Sequence, residues 1–381
     1  MLKFLSALPW SKKAVSPEEY IRRRQLEHPP VYYPKDGGQH LLVALGRRLP
    51  PGPRDLLATG VVAGGEVGDM IADTLMQEIP GKKYVIEIFS GMIRLFYSCS
   101  RVLGALSTDH QSDGSIVKPS MTNEDGAHLL STLFHDYSKT GVPLAQSFYI
   151  HPEQIKIADM FSREAEVFML AHETGHAWMR TSNYSRAAGR ESDEEIRADS
   201  LAIEWFIRDL PESAPGLSPR LMYAGAELAL RIFSCMERIG IKFRTDHPPA
   251  GTRLESLRTV ARAACKSEAN YMSLSTIGMA YDQLWDHVEA ILSTKAGDKV
   301  PMVAVTPDRL ESTLIVLVQE GSRGMMTVEA AKAETASIFR VADAAVIATA
   351  VTRARAVFAD QHDEAAILEG LIANAQASTE G

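Results

Sequence analysis

Apolar positions fall at helical spacing along most of this chain, and only a few short stretches depart from it. From Arg54 to Gln77 the pattern reads as mostly helical. Tyr84 to Phe89 (YVIEIF) is instead β-branched and aromatic. Gly91 punctuates it, and Ile93, Leu95 and Phe96 open an apolar run, which predicts a strand followed by a helix. A second strand is expected over 144–152 (LAQSFYIHP), ended by Pro152. Long helical runs follow: Ser162 is placed to cap one that reaches Arg180, a second spans Ser192 to Leu210, and a third Arg220 to Gly240. Beyond 245–253 (TDHPPAGTR) the pattern is helical to the end, with an interruption at 293–309.

Punctuation at 47–55 (RRLPPGPRD) ends whatever precedes it. The expected organisation is an N-terminal segment 1–53, a central domain 54–265 and a helical C-terminal region 266–381. The fold class is mostly α with a small β-sheet (α+β).

Composition narrows the function classes. With 45% hydrophobic and 23% charged residues, the 381-residue chain has ordinary globular content and can bury a sizeable core. A net charge of −8 leaves no overall basic field of the kind that draws proteins to nucleic acid or anionic lipid. Arg22, Arg23 and Arg24 read as a solvated helix face rather than a basic patch. Cys99, Cys235 and Cys265 are odd in number and lack C-x-x-C spacing, which suits a reducing compartment. The opening MLKFLSALPWSKK is broken by Pro9 and too brief for a secretory apolar region, and no stretch reaches about 18 uninterrupted apolar residues. A cytoplasmic protein without a membrane span is expected. GVVAGGEVGDM, from Gly60, lacks the strand and spacing of a phosphate-binding loop.

One motif carries chemistry. In LAHETGHAWM, His172 and His176 stand four residues apart, about 40° around a helix axis, so both rings project from one face one turn apart. Two imidazoles so placed can reach one ion, with zinc the usual occupant. Glu173 sits about 100° round from His172, beside the ion rather than on it, where a base for a water belongs. With 11 histidines in the chain, chance would produce H-E-x-x-H about one time in fifty. Gly175 stands where bulk would crowd another backbone. A third ligand is available in EEIRADSLA: Glu195 and Asp199 form an i, i+4 pair whose face continues through Ala202 and Phe206 toward a core. Buried carboxylates demand partners. Glu195 as ligand, with Asp199 accepting the second ring proton of a histidine, satisfies both. Glu191, Asp193 and Glu194 are alternatives, set against the reading of all of them as a solvated acidic first turn. His128, His135 with Asp136, and His151 read as surface or capping residues, and His28 as a decoy.

HETGH followed by EIRAD nineteen residues after His176 resembles the H-E-x-x-H plus E-x-x-A-D signature of gluzincin zinc peptidases, especially the HtpX-like and CAAX-prenyl-protease-like group. DHPPAGTRLESL is similar to the H-P-then-arginine block of those families, and YVIEIFSGMIRLF to their edge strand and following helix. The blocks span about 84–257. In layout the chain looks closer to soluble phage-exclusion (Lit-type) peptidases, because about eighty residues separate Gly91 from His172, which implies a helical insert near 100–160. The resemblance implies a zincin-like metallopeptidase core with a helical C-terminal extension, Zn2+ as cofactor and a protein or peptide as substrate. By the same resemblance His247 approaches the open side of the metal, to stabilise an oxyanion or to block the site reversibly, and Arg253 braces Asp199 or the substrate. The strand at Tyr84–Phe89 is expected to pair with an extended substrate backbone.

The expected activity is therefore peptide hydrolysis by metal-activated water with Glu173 as general base. Two rivals stand beside it. One is a catalytically silent zinc-containing binding protein with His247 as fourth ligand and the C-terminal helices docking a regulatory partner. The other is hydrolysis of a non-peptide bond.

Overall fold

The computed structural model describes residues 15–33, 35–69, 71–110, 116–140, 148, 150–182, 191–207, 218–241, 247–293, 307–322, 328–339 and 342–379. It is mostly helical with a small mixed sheet. The N-terminal helices are α1 (Pro17–Glu27), α2 (Gln39–Gly46) and α3 (Pro51–Ala58), followed by strands β1 (Val62–Val67), β2 (Thr74–Ile79) and β3 (Lys83–Phe89).

Strand order is β1-β3-β2: β1 runs parallel to β3 with Val62 opposite Tyr84, and β2 runs antiparallel with Thr74 opposite Ile88. This corrects the helical expectation for Arg54–Gln77, of which only the part up to Ala58 is helical. Every residue of β1 is buried, so the strand lacks the alternation that marks a half-exposed one. Its glycines disguise it further. A Cβ on Gly64 would lie 2.6 Å from the Ile86 carbonyl oxygen, so close pairing with β3 requires glycine there. The GVVAGGEVGDM stretch thus does contain a strand. The next element after β1 is the antiparallel strand β2, not a helix.

The expected docking role of Tyr84–Phe89 is also corrected: β3 is the central strand and has a partner on each side. Among the described residues β2 is paired on one side only.

Buried glutamates fasten the N-terminal segment to this sheet. Glu66 accepts from the backbone N–H groups of Val31, Tyr32 and Tyr33 at 2.9, 2.9 and 2.6 Å and from the Ser90 hydroxyl at 2.6 Å. Glu87 accepts from Arg24 Nε at 2.8 Å, and both side chains are buried. Arg24 is therefore no part of a solvated face, unlike Arg22 and Arg23, which pair with Glu19 on the surface of α1.

Next come α4 (Ser90–Leu106), the two-residue strands β4 (Asp109–His110) and β5 (Ile116–Val117), α5 (Asn123–Thr140) and α6 (Pro152–Thr181). The strand expected at 144–152 lies mostly outside the described residues, and its described part carries no strand. Pro152 opens a helix instead of ending a strand: its missing N–H costs nothing at the first turn. The cap is His151, whose Nδ1 accepts from Glu153 N while Gln154 Oε1 accepts from His151 N. The helix thus begins ten residues before Ser162, which lies inside it and donates to Glu166 Oε1 at 2.8 Å.

α6 is the hub. Against it pack α2, α4, α7 (Glu191–Ile207) and α8 (Pro219–Arg238). A Cβ on Gly225 of α8 would lie 2.5 Å from the backbone carbon of Glu164, so the two helices touch backbone to backbone. After α8 follow α9 (Ala250–Ala264), α10 (Glu268–Ala280) and α11 (Asp282–Ser293), all within one apolar core that runs from Leu41 to Leu292. The remaining helices, α12 (Pro307–Ser322), α13 (Val328–Phe339), α14 (Ala344–Val357) and α15 (His362–Thr379), enclose a separate core from Leu310 to Ala375. Val31, Tyr32 and Tyr97 pack against that second core. Among the described residues no helix is long and apolar enough to cross a membrane.

Candidate metal centre

His172 and His176 lie in the last third of α6 on the face turned to α7. The helices meet closely there: a Cβ on Gly175 would find Ala198 Cα and O at 3.3 Å. Two small residues facing each other bring α7 near enough for its carboxylates to reach the imidazoles. His172 Nε2 and His176 Nε2 are 3.2 Å apart. Glu195 places Oε2 at 3.3 Å from the first and Oε1 at 3.3 Å from the second. All three side chains are buried, and among the described residues they form the one group of histidine, cysteine or acidic side chains able to hold a metal ion.

The outer nitrogens settle what the inner ones present. His172 Nδ1 donates to Asp199 Oδ1 at 2.8 Å, and Arg253 grips both oxygens of Asp199, Nε at 2.7 Å and Nη2 at 2.8 Å. His176 Nδ1 lies 3.2 Å from Glu194 Oε1, which also accepts from Arg180 Nη2 at 3.4 Å. With each Nδ1 donating to its own carboxylate, both Nε2 atoms face one another and the Glu195 carboxylate, and the space between them is filled either by protons shared with Glu195 or, once those protons leave, by a cation. Stripped of those protons, three electron-rich atoms in a buried space repel one another unless a cation stands between them.

The fit to a metal is good on two further counts. Ligand atoms on a tetrahedral zinc at 2.0–2.1 Å are about 3.3 Å apart, which matches the separations here. Charge agrees: Glu173, Glu194, Glu195 and Asp199 surround the imidazoles, and Arg180 and Arg253 answer them, leaving the excess of negative charge that one divalent ion neutralises. Proton affinities show the same centre attracting positive charge, with protons held where an ion would stand. Burial pushes Asp199 up, but the Arg253 guanidinium outweighs it and holds the carboxyl at about 2. Burial likewise raises Glu195, yet its bonds from His172, His176 and His247 hold it well below the usual carboxylate range. His172 is disfavoured as a cation by burial and favoured more strongly by Asp199, so it is pushed up to about 10.

Of the remaining expected residues, Glu173 is buried on α6 next to the pair. His247, ahead of α9, puts Nε2 at 3.1 Å from Glu195 Oε1 and is partly exposed. It touches the cluster at Glu195 and is not one of the three residues whose ligand atoms all lie within 4.8 Å of one another. Asp193 is exposed, and the side chain of Glu191 lies outside the described residues. Glu194, weighed from sequence only as an alternative ligand, sits instead on the outer nitrogen of His176. Its signal was faint: an acidic neighbour of Glu195 in the first turn of a helix.

Residues 122–273 match the family model Peptidase U49, a Lit-like peptidase family. The similarity supports a peptidase. It extends from the approach to α5 into α10, under half of the chain, and takes in every residue of the centre just described. No curated protein and no solved structure matches the chain.

Proposed function

We propose that the chain is a zinc-dependent metalloendopeptidase with His172, His176 and Glu195 as metal ligands and Glu173 as general base. The observation that carries this reading is the convergence of two ring nitrogens and one carboxylate on a buried point with a second carboxylate beside them. His172, His176 and Glu195 would hold the zinc, which when bound would supply a water of lowered pKa and a Lewis acid for the carbonyl. Glu173 takes the proton from the attacking water and returns it to the departing amine. Asp199 and Arg253 keep the His172 ring oriented. His247 stands at the open side of Glu195, where its ring donates to the substrate carbonyl oxygen as that oxygen gains charge. The side of β2 that carries no strand among the described residues offers main-chain groups to an extended peptide, and β2 packs on α6.

A second reading draws on the 3.1 Å approach of His247 to Glu195: His247 would serve as a fourth protein ligand and leave no place for a water. X-ray absorption on the zinc-loaded protein separates the two, since three protein ligands plus water mark a catalytic zinc and four protein ligands a structural one.

The decisive test pairs wild type with Glu173→Gln. Both should bind one zinc, while peptide products, read by mass spectrometry of a digested proteome, should fall about 10²–10⁴-fold in the variant. Undiminished cleavage by Glu173→Gln would end the proposal.

A further inference from the structure

The two histidines are held by unequal arms. His172 is tied to Asp199 and Arg253 through contacts of 2.7–2.8 Å, and these three side chains are nearly sealed from solvent. His176 is tied to Glu194 and Arg180 through contacts of 3.2 and 3.4 Å, with the Glu194 side chain 23% and the Arg180 side chain 36% exposed. Among the described residues Glu194 is the one acceptor within hydrogen-bond reach of His176 Nδ1.

Adjacent residues on α7 therefore bracket one imidazole. Residues next to each other on a helix point about 100° apart. Glu195 turns inward to Nε2 and Glu194 turns past the rim of the ring to Nδ1. The acid on Nδ1 decides which nitrogen carries the proton. Lacking it, the ring is free to carry the proton on Nε2, or to turn about its last torsion, and either change removes a lone pair from the cluster.

We infer that Glu194 is a positioning residue, fixing the tautomer and orientation of His176 so that Nε2 serves the metal. This rests on the proposed zinc centre and adds to it a second carboxylate–histidine arm, one that is solvent-facing where the Asp199 arm is sealed. Arg180 steadies Glu194 without touching the imidazole.

The full chain tests this with zinc alone and with cobalt(II) as a spectroscopic substitute, no peptide substrate being needed. Zinc affinity is measured by competition with a chromophoric chelator for wild type, Glu194→Ala and Glu194→Gln. Glu194→Ala should bind zinc about 10–100-fold more weakly and alter the visible cobalt spectrum. Glu194→Gln keeps a carbonyl acceptor for Nδ1–H and should stay within about threefold of wild type with the wild-type cobalt bands. Wild-type affinity and spectrum in Glu194→Ala overturn the inference. Equal weakening in both variants overturns it too, since charge or folding rather than ring orientation would then account for the loss. A wild-type chain that binds neither ion overturns the inference together with the proposed function, whereas a metal-binding wild type with an indifferent Glu194→Ala overturns the inference alone.

Discussion

The helices around the histidines and the C-terminal helices α12–α15 solve the same packing problem with opposite materials. The C-terminal core is built from leucines, alanines, valine, isoleucine and phenylalanine, and among its described residues Thr313 and Thr335 are the buried polar ones. Around the centre, by contrast, α6, α7 and α9 bury Glu164, Glu166, His172, Glu173, His176, Glu195, Asp199 and Arg253. Helices can thus be packed in this chain around an apolar core, with their ion pairs, such as Arg355 with Glu369 and Arg353 with Glu311, kept at the surface. Desolvating an ion costs several kcal/mol even when it is paired, so the charges in the first region are not there for stability. They mark where a geometry is wanted at stability's expense, which is the physical reason to place the chemistry there.

The comparison is broken most severely through Arg253. Removing it strands Asp199, which is 1% exposed, and Arg253→Ala should cost about 3–5 kcal/mol in chemical denaturation. The sharper version removes both charges at once. Arg253→Met with Asp199→Leu should regain most of that stability, because neither partner is left buried and unpaired, yet zinc affinity should stay low because His172 Nδ1 has lost its acceptor. Zinc affinity recovering along with stability would mean that the pair is structural cement and nothing more.

In the other region the corresponding break is a cavity. Leu314 of α12 is fully buried in the C-terminal core, and Leu314→Ala should cost about 2–5 kcal/mol. Zinc stoichiometry should be unchanged below the transition, since the two cores are distinct. Loss of zinc in this variant would show that the C-terminal helices hold the centre in shape.

What could be read beforehand follows the same division. His172, His176, Glu195 and Asp199 were legible because each pair sits on a single helix, where spacing alone fixes direction. The cluster they form needed the structure, since α6 and α7 meet at Gly175 and Ala198 by tertiary packing. Glu194 escaped because two glutamates side by side on an acidic first turn look alike until a ring nitrogen distinguishes them. The strand β1 escaped because burial on both faces erases alternation and its glycines imitate a loop. Arg24 was misread for a related cause: its partner Glu87 is distant in sequence, and an arginine run on one helix carries no trace of it. The start of α6 was hidden by Pro152, which closes a strand and opens a helix with equal ease.

The smallest effect expected is conditional on pH and belongs to the first region. Glu166, on α6 six residues before His172, accepts from Tyr33 Oη at 2.7 Å and from Ser162 Oγ at 2.8 Å. Burial is the main influence on its carboxyl and pushes it up to about 7, with Tyr33, Ser162 and Arg163 opposing and Glu66 adding to the rise. A group whose proton is held more tightly in the folded chain contributes stability below its unfolded value and loses it as pH rises through the folded one. Glu166 should therefore weaken the fold as pH climbs from about 4.5 to about 7, by no more than on the order of 3 kcal/mol. Glu166→Gln, with the shape of the protonated acid and no charge to desolvate, should match wild type near pH 4.5 and melt higher at pH 8. A difference in melting temperature that stays constant across that range would show that the carboxyl is already ionised at the lower end, and that burial here is outweighed by its two hydroxyl donors.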